Sequence, residues 1–220
     1  ISGAVNVGGA AGLGNGSVSN TKVFETVSIS GASNIGGIVG YLEQSDASIT
    51  DCLFAGRVSL EGESGVGGIA GKMGAGQITG CLSAGAVEAE QENTNEVKGM
   101  GGFVGILEKG EISGSVSYAS VTGNEAGSAG GFAGSVLDLG SVTGCFAASS
   151  VEGGGSGAGF VYEGKGALAD CFSGTILGKD LKSRYGFVAE TGQGESSLVQ
   201  LGFDADMAGV DASAAEKAAG

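Results

Sequence analysis

Apolar residues along this chain alternate with polar or small ones over short runs, and β-branched side chains are frequent within those runs. Period two marks a strand with one buried face, and the repeats show no trace of the 3.6-residue period of a helix. Glycine-rich breaks separate the runs. The stretch at residues 66 to 81, VGGIAGKMGAGQITGC, holds six glycines in sixteen residues. Gly loses more conformational freedom on ordering than any other residue, so neighbours outside the stretch must offset that cost.

Aligning the chain with itself supplies those neighbours. A Gly-Gly-apolar-x-Gly unit recurs as GGAAG (Gly8 to Gly12), GGIVG (Gly36 to Gly40), GGIAG (Gly67 to Gly71), GGFVG (Gly101 to Gly105) and GGFAG (Gly130 to Gly134). AGFVY (Ala158 to Tyr162) and YGFVA (Tyr185 to Ala189) are decayed copies. With the second residue of each as anchor, the spacings are 28, 31, 34, 29, 28 and 27. About ten residues after each anchor stand Val18, Ile49, Ile78, Ile112, Val142, Leu168 and Leu198. Three residues further on comes a small or apolar column of Thr21, Cys52, Cys81, Ser115, Cys145, Cys171 and Leu201. Six beyond that, Val27, Val58, Val87, Val121 and Val151 line up, with Ile176 one position early.

Three short strands in each 27 to 34 residues, in copies too small to bury their own apolar faces, predict an all-β parallel β-helix, or β-solenoid, of about seven coils. Strands of successive coils then pair in parallel about 4.8 Å apart, giving a rod roughly 30 Å long. The expected hand of the coil is right. After each anchor, positions +1, +3 and +5 are expected to share the inner face, so the Gly at +3 leaves room beside the bulky +1 column. That +1 column includes Phe103, Phe132, Phe160 and Phe187, placed to stack along the axis. Position +4 (Leu13, Tyr41, Lys72, Ile106, Ser135, Glu163, Glu190) is mixed and is expected to face water. The +2 column, with Val39, Val104, Val161 and Val188 and three Ala, leaves two readings open. Either it makes a second apolar face that something covers, or the chain bends at the Gly pair and takes both columns inward. Burial of Val104 decides between them.

Composition narrows the picture. Among 220 residues there are 48 Gly, no Pro, no Trp and no His, and a net charge of −14. That charge balance argues against nucleic acid, which requires a basic stripe, and equally against an anionic membrane surface. No apolar run approaches the roughly 20 residues of a membrane-spanning helix. The first residues lack the basic start and apolar block of a signal peptide. Ile1 falls inside a repeat, so the chain is expected to be a piece of something longer. Missing proline suits a ladder in which every central rung donates its N–H groups. The repeats are assigned to residues 1–200 and a C-terminal cap or tail to residues 201–220. In that tail Asp204, Asp206 and Asp211 supply polar capping, and DASAAEKAA (Asp211 to Ala219) has the residues of a helix former.

The columns resemble the GLUG repeat, through GGIVG, GGIAG, GGFVG and GGFAG followed by SITDCLFAGRV, QITGCLSAGAV, EISGSVSYASV and SVTGCFAASSV. The resemblance covers roughly residues 5 to 200 and weakens in the last two copies, which lose glycines. It implies a β-solenoid in a large secreted or surface-attached bacterial protein, adhesin-like or flanking an IgA-protease-type metallopeptidase. It carries no catalytic residues.

Candidate chemistry is sparse. Cys52 and Cys81, and likewise Cys145 and Cys171, occupy adjacent coils of one column, within reach of bridging. A column that also takes Thr21, Ser115 and Leu201 asks for a small buried group, and an inert thiol satisfies it. Without His or a CxxC pair, a straight column cannot surround zinc. GFVYEGK at Gly159 to Lys165 fits a phosphate-loop spacing, but Gly166 stands where a hydroxyl residue would hold magnesium. The GGxGxD pattern of calcium-binding β-rolls is missing. The insertion EAEQENTNEVK (Glu88 to Lys98) reads as a solvated loop, where insertions on a solenoid fall.

No catalytic, cofactor-binding or metal residue is therefore assigned, no cofactor is expected, and an enzyme is the weakest class. The reading is a rigid spacer or binding rod of a bacterial secreted or cell-surface adhesin-like protein. A carbohydrate-binding or carbohydrate-cleaving β-helix is the alternative. Expected partners are a host or matrix protein or a glycan, together with flanking domains of a longer chain, with neither nucleic acid nor membrane insertion.

Overall fold

The computed structural model describes residues 1–90, 96–153, 155–191, 198–199 and 202–204. Among them every strand pairing is parallel, no helix occurs, and three sheets wrap one core. One coil shows the course. Arg57–Gly67 lies in the first sheet, Ala70–Met73 and Gln77–Thr79 in the second, and Leu82–Ser83 in the third. Ala86–Ala89 then returns to the first sheet one rung along, pairing Val87 with Val58. Seven strands stack in the third sheet, which makes about six turns from first rung to last.

The register follows the sequence columns. Val18, Ile49, Ile78, Ile112, Val142, Leu168 and Leu198 pair rung by rung in the second sheet. The third column needs two corrections. Ile29, not Val27, pairs with Val58, because a turn at Glu25–Thr26 adds two residues to the first coil. At the other end Leu177, not Ile176, pairs with Val151, and Ile176 faces outward at 53% exposure. Between the second and third sheets, six coils whose corner lies among the described residues turn on a residue of positive φ: Asn20, Asp51, Gly80, Gly114, Gly144 and Asp170. Only Gly, Asn and Asp adopt that conformation readily, which explains the composition of this column.

The glycines of the GGxxG unit serve close approach. A Cβ on Gly105 would lie 2.6 Å from Val66 N and 2.7 Å from Gly99 O, and nearer still to Gly71 O. All three are backbone atoms, so this position faces the strands that precede the Gly pair. The expectation that Gly +3 leaves room beside Phe +1 is thus corrected. The chain bends at the Gly pair, and period two does not run through the bend. The second Gly of the pair has a different neighbour, the inward residue of the third sheet: a Cβ on Gly102 would lie 2.6 Å from Ser117 Oγ. Ser83 Oγ, in the third sheet, donates to Gly102 O at 2.6 Å, and Ser149 Oγ, in the link from the third sheet to the first, donates to Gly131 O at 2.7 Å, tying both to the bend.

The same bend takes both apolar columns inward. Val104 is fully buried, as are Val39, Val161, Ala70 and Ala133, so no second molecule is needed to cover this column. Phe103, Phe132, Phe160 and Phe187 stack with centroids 4.6, 4.8 and 4.8 Å apart, near-parallel. Where these rings fill the coil, the third sheet turns small residues inward (Ser117, Ala147 and Ser173, all buried), whereas in the second coil Phe54 points inward against Ile38 at the bend. In each of those coils a ring at one position faces a small or aliphatic residue at the other, which suits a close-packed interior. Position +4 is half-buried or exposed in six of its seven copies; Ser135 is buried.

The insertion is narrower than the sequence suggests: Glu88 and Ala89 belong to one strand and Lys98 to the next, while residues 91–95 lie outside the described set. Asp204 is half-buried, with its N–H bonded to Ser173 O at 2.9 Å. The expected caps Asp206 and Asp211 and the helix-forming tail lie outside the described residues.

Candidate interaction surface

The inward columns are buried and mostly apolar. All four cysteines are buried and unbridged. Burial pushes the Cys81 thiol up to about 12. Cys145 is held protonated by its hydrogen bond to Cys171 and then by burial. Each sulfur lies 3.2 to 3.4 Å from the carbonyl oxygen two residues back, as where Cys81 Sγ donates to Thr79 O at 3.4 Å. Cys171, which accepts the Cys145 hydrogen bond, is held below its ordinary value, but all four are buried packing groups, unlike reactive thiolates, which sit exposed among positive charges.

The phosphate-loop spacing at Gly159 to Lys165 does not form a cradle. Gly159 N–H is bonded to Tyr185 O at 2.8 Å, Val161–Gly164 is a strand of the second sheet, and Lys165 is paired with Glu163. That pairing, against a smaller opposing effect of burial, holds the Glu163 carboxyl below its usual range. Among the described residues no group of three or more His, Cys, Asp or Glu is placed to hold a metal ion.

What remains is the outside of the three sheets. On the second sheet one outward column is Ser19, Thr50, Thr79, Ser113 and Thr143, with Thr79 and Ser113 hydroxyls 3.3 Å apart. Further along, Lys72 pairs with Glu108 at 2.9 Å and lies over the Tyr41 ring. On the first sheet Arg57 and Glu88 pair across adjacent rungs. Both faces are wet in the ordinary way.

The third sheet differs. Its strands are two residues long, the first pointing out and the second in. The outward residues in register are Lys22, Leu53, Leu82, Val116, Phe146 and Phe172. Past the inward residue, a second outward column continues the ladder as Phe24, Ala55, Ala84, Tyr118 and Ala148, each residue after Phe24 donating its N–H to the rung before. Five successive rungs of the first column are therefore apolar, beside a column of small residues and aromatics. Phe24 is 61% exposed, Tyr118 53% and Phe172 44%. Phe146 stacks on Phe172 at 5.6 Å and takes the Tyr118 ring edge-on at 6.2 Å, so the aromatics form one ordered ridge.

Sequence reasoning missed this strip, although the signal is present. The residue directly after the small column is Leu53, Leu82, Val116, Phe146 or Phe172 in five consecutive copies. A two-residue strand is too short to show alternation, so nothing in the period announces that these side chains point outward.

The GLUG motif matches residues 31–59. That span is one coil, from within the strand Ser28–Gly36 through GGIVG to the third-sheet strand Leu53–Phe54 and the start of the next coil. No curated protein and no solved structure matches the chain. A repeat-type structural module is what the motif and the solenoid together support.

Proposed function

We propose that this chain is a rigid module of a secreted or cell-surface bacterial protein acting in adhesion or display, with the solenoid as the rod and the third sheet's outward strip as its contact surface. The strip carries the reading. A module that serves only as a spacer has no use for Phe24, Tyr118 and Phe172 in water, and aromatics ordered against one another on an open face favour a contact role over a chance exposure. Surface placement draws on the GLUG resemblance. No reaction is assigned: Asp51 and Asp170, the carboxylates beside the strip, stand four rungs apart, about 19 Å by rung spacing. Carboxylates that cleave glycosides lie roughly 5 to 9.5 Å apart.

The test is to probe the purified module against arrays of matrix proteins and glycans. Binding that is lost in Tyr118→Ala supports the proposal. Silence on every array leaves the module a plain spacer.

A further inference from the structure

If the strip is a contact surface, its dimensions select what it contacts. We infer that it takes a linear, uncharged polysaccharide of β-linked pyranose units, laid along the solenoid axis. The inference rests on the binding role proposed above.

Size is the first argument. From Phe24 to Phe172 the strip runs five rung steps, about 24 Å, and two outward columns with their side chains span about 11 Å. The resulting area, roughly 250 Å², is far below the roughly 800 Å² per partner of a stable protein interface. A second copy of the chain or a globular protein would leave most of its contact unmade. A narrow chain matches the strip over its full length.

Backbone chemistry separates a glycan from an extended peptide. The strip is the face of a sheet, and its N–H groups are engaged in the ladder: Leu82 N–H bonds Cys52 O at 2.9 Å and Tyr118 N–H bonds Ser83 O at 2.7 Å. A peptide cannot add here as a strand, because that mode needs a free edge. Its own amides would lose water against apolar side chains without finding partners. A β-linked pyranose ribbon has the complementary distribution, with C–H groups on its flat faces and hydroxyls along its two edges. The faces cover the Leu53, Leu82 and Val116 column, and the hydroxyls reach the polar borders. One border holds Asn20, Asp51 and Asp170, all exposed, and the other runs Ser28, Arg57, Ala86, Ser120, Ser150 and Ile176, with the Ser120 and Ser150 hydroxyls 3.4 Å apart.

Access and charge complete the case. At Gly114 and Gly144 on the first border, nothing lies within 4 Å of where a side chain would begin, so the corner beside Val116 and Phe146 is bare. Phe24 and Tyr118 stand three rungs apart with Ala55 and Ala84 between them, forming a shallow bay with an apolar floor. A net charge of −14, with carboxylates on one border, repels polyanions such as uronate polymers and leaves neutral chains.

The experiment is titration calorimetry of the purified chain with cellohexaose, xylohexaose, mannohexaose and chitohexaose. Polygalacturonate serves as the anionic probe and immobilised collagen as the protein probe. The expected result is binding of at least one neutral oligosaccharide, tightening from dimer to hexamer, insensitive to salt, with no binding of polygalacturonate. Tyr118→Ala and Phe24→Ala should each weaken it by about tenfold without lowering the melting temperature, while Ser19→Ala on the second sheet leaves it unchanged. Binding of collagen with no oligosaccharide overturns the inference and leaves the proposed function standing. Oligosaccharide binding indifferent to Tyr118→Ala and Phe24→Ala also overturns it, and silence in every arm overturns both readings.

Discussion

Replacing Gly105 with Ala adds one carbon atom and tests how the coils are held. The new Cβ would fall inside 3.0 Å of three backbone atoms: Gly71 O, Val66 N and Gly99 O. None can rotate away. Val66 and Gly99 belong to neighbouring first-sheet strands and Gly71 to the previous rung of the second sheet, so relief means parting rungs that are hydrogen-bonded on both sides. Overpacking of this kind costs about 1–3 kcal/mol, and one weakened ladder bond adds about 1 kcal/mol. Restricting the unfolded chain returns about 0.4–1 kcal/mol. The net is a loss of about 1–3.5 kcal/mol, which for a chain of this size lowers the melting temperature by about 2–14 °C. Gly16→Ala is the control, since nothing lies within 4 Å of its added carbon and the unfolded-state gain stands alone. Thermal unfolding followed by circular dichroism reads both. If Gly105→Ala melts at or above Gly16→Ala, the backbone contact at this glycine is not what closes the coil.

Other outcomes follow from the same structure. Phe132 lies between two stacked rings at 4.6 and 4.8 Å, so Phe132→Ala should cost about 3–5 kcal/mol in urea titration. Arg57→Ala should change stability by less than about 1 kcal/mol despite its contact with Glu88, because that pair is largely exposed. The four thiols should be silent to Ellman's reagent at pH 8 and react in step with unfolding. Cys81 is raised from 9.0 to about 12, so its contribution is complete below pH 9 and is lost as pH rises toward 12; wild type should lose more stability across that window than Cys81→Ala.

Repetition made most of this fold readable before any coordinates. Ile49, Ile78 and Ile112 stack at one offset from the Gly pair, and a position repeated in seven copies reveals its burial even where a single copy is ambiguous. Period-two reasoning failed where the strand is not straight. Phe103 lies at the bend and Val104 opens the next strand, so +1 and +2 both turn inward and +3 meets backbone. Val27 was misplaced in its column because Glu25 and Thr26 form a turn with no counterpart in the other coils. The outward strip was hidden for a further reason. Apolar residues beside a buried small column look like core, and only pairing registers show that Leu82 and Phe146 face away from it.

Because every coil re-enters the first sheet in the register it left, the unit of variation is the whole coil. Duplicating one would extend the rod by a single step of about 4.8 Å. It would also add one more outward rung to the third sheet. Reach and contact length are therefore coupled in this architecture, and both change in discrete increments through gain or loss of repeats.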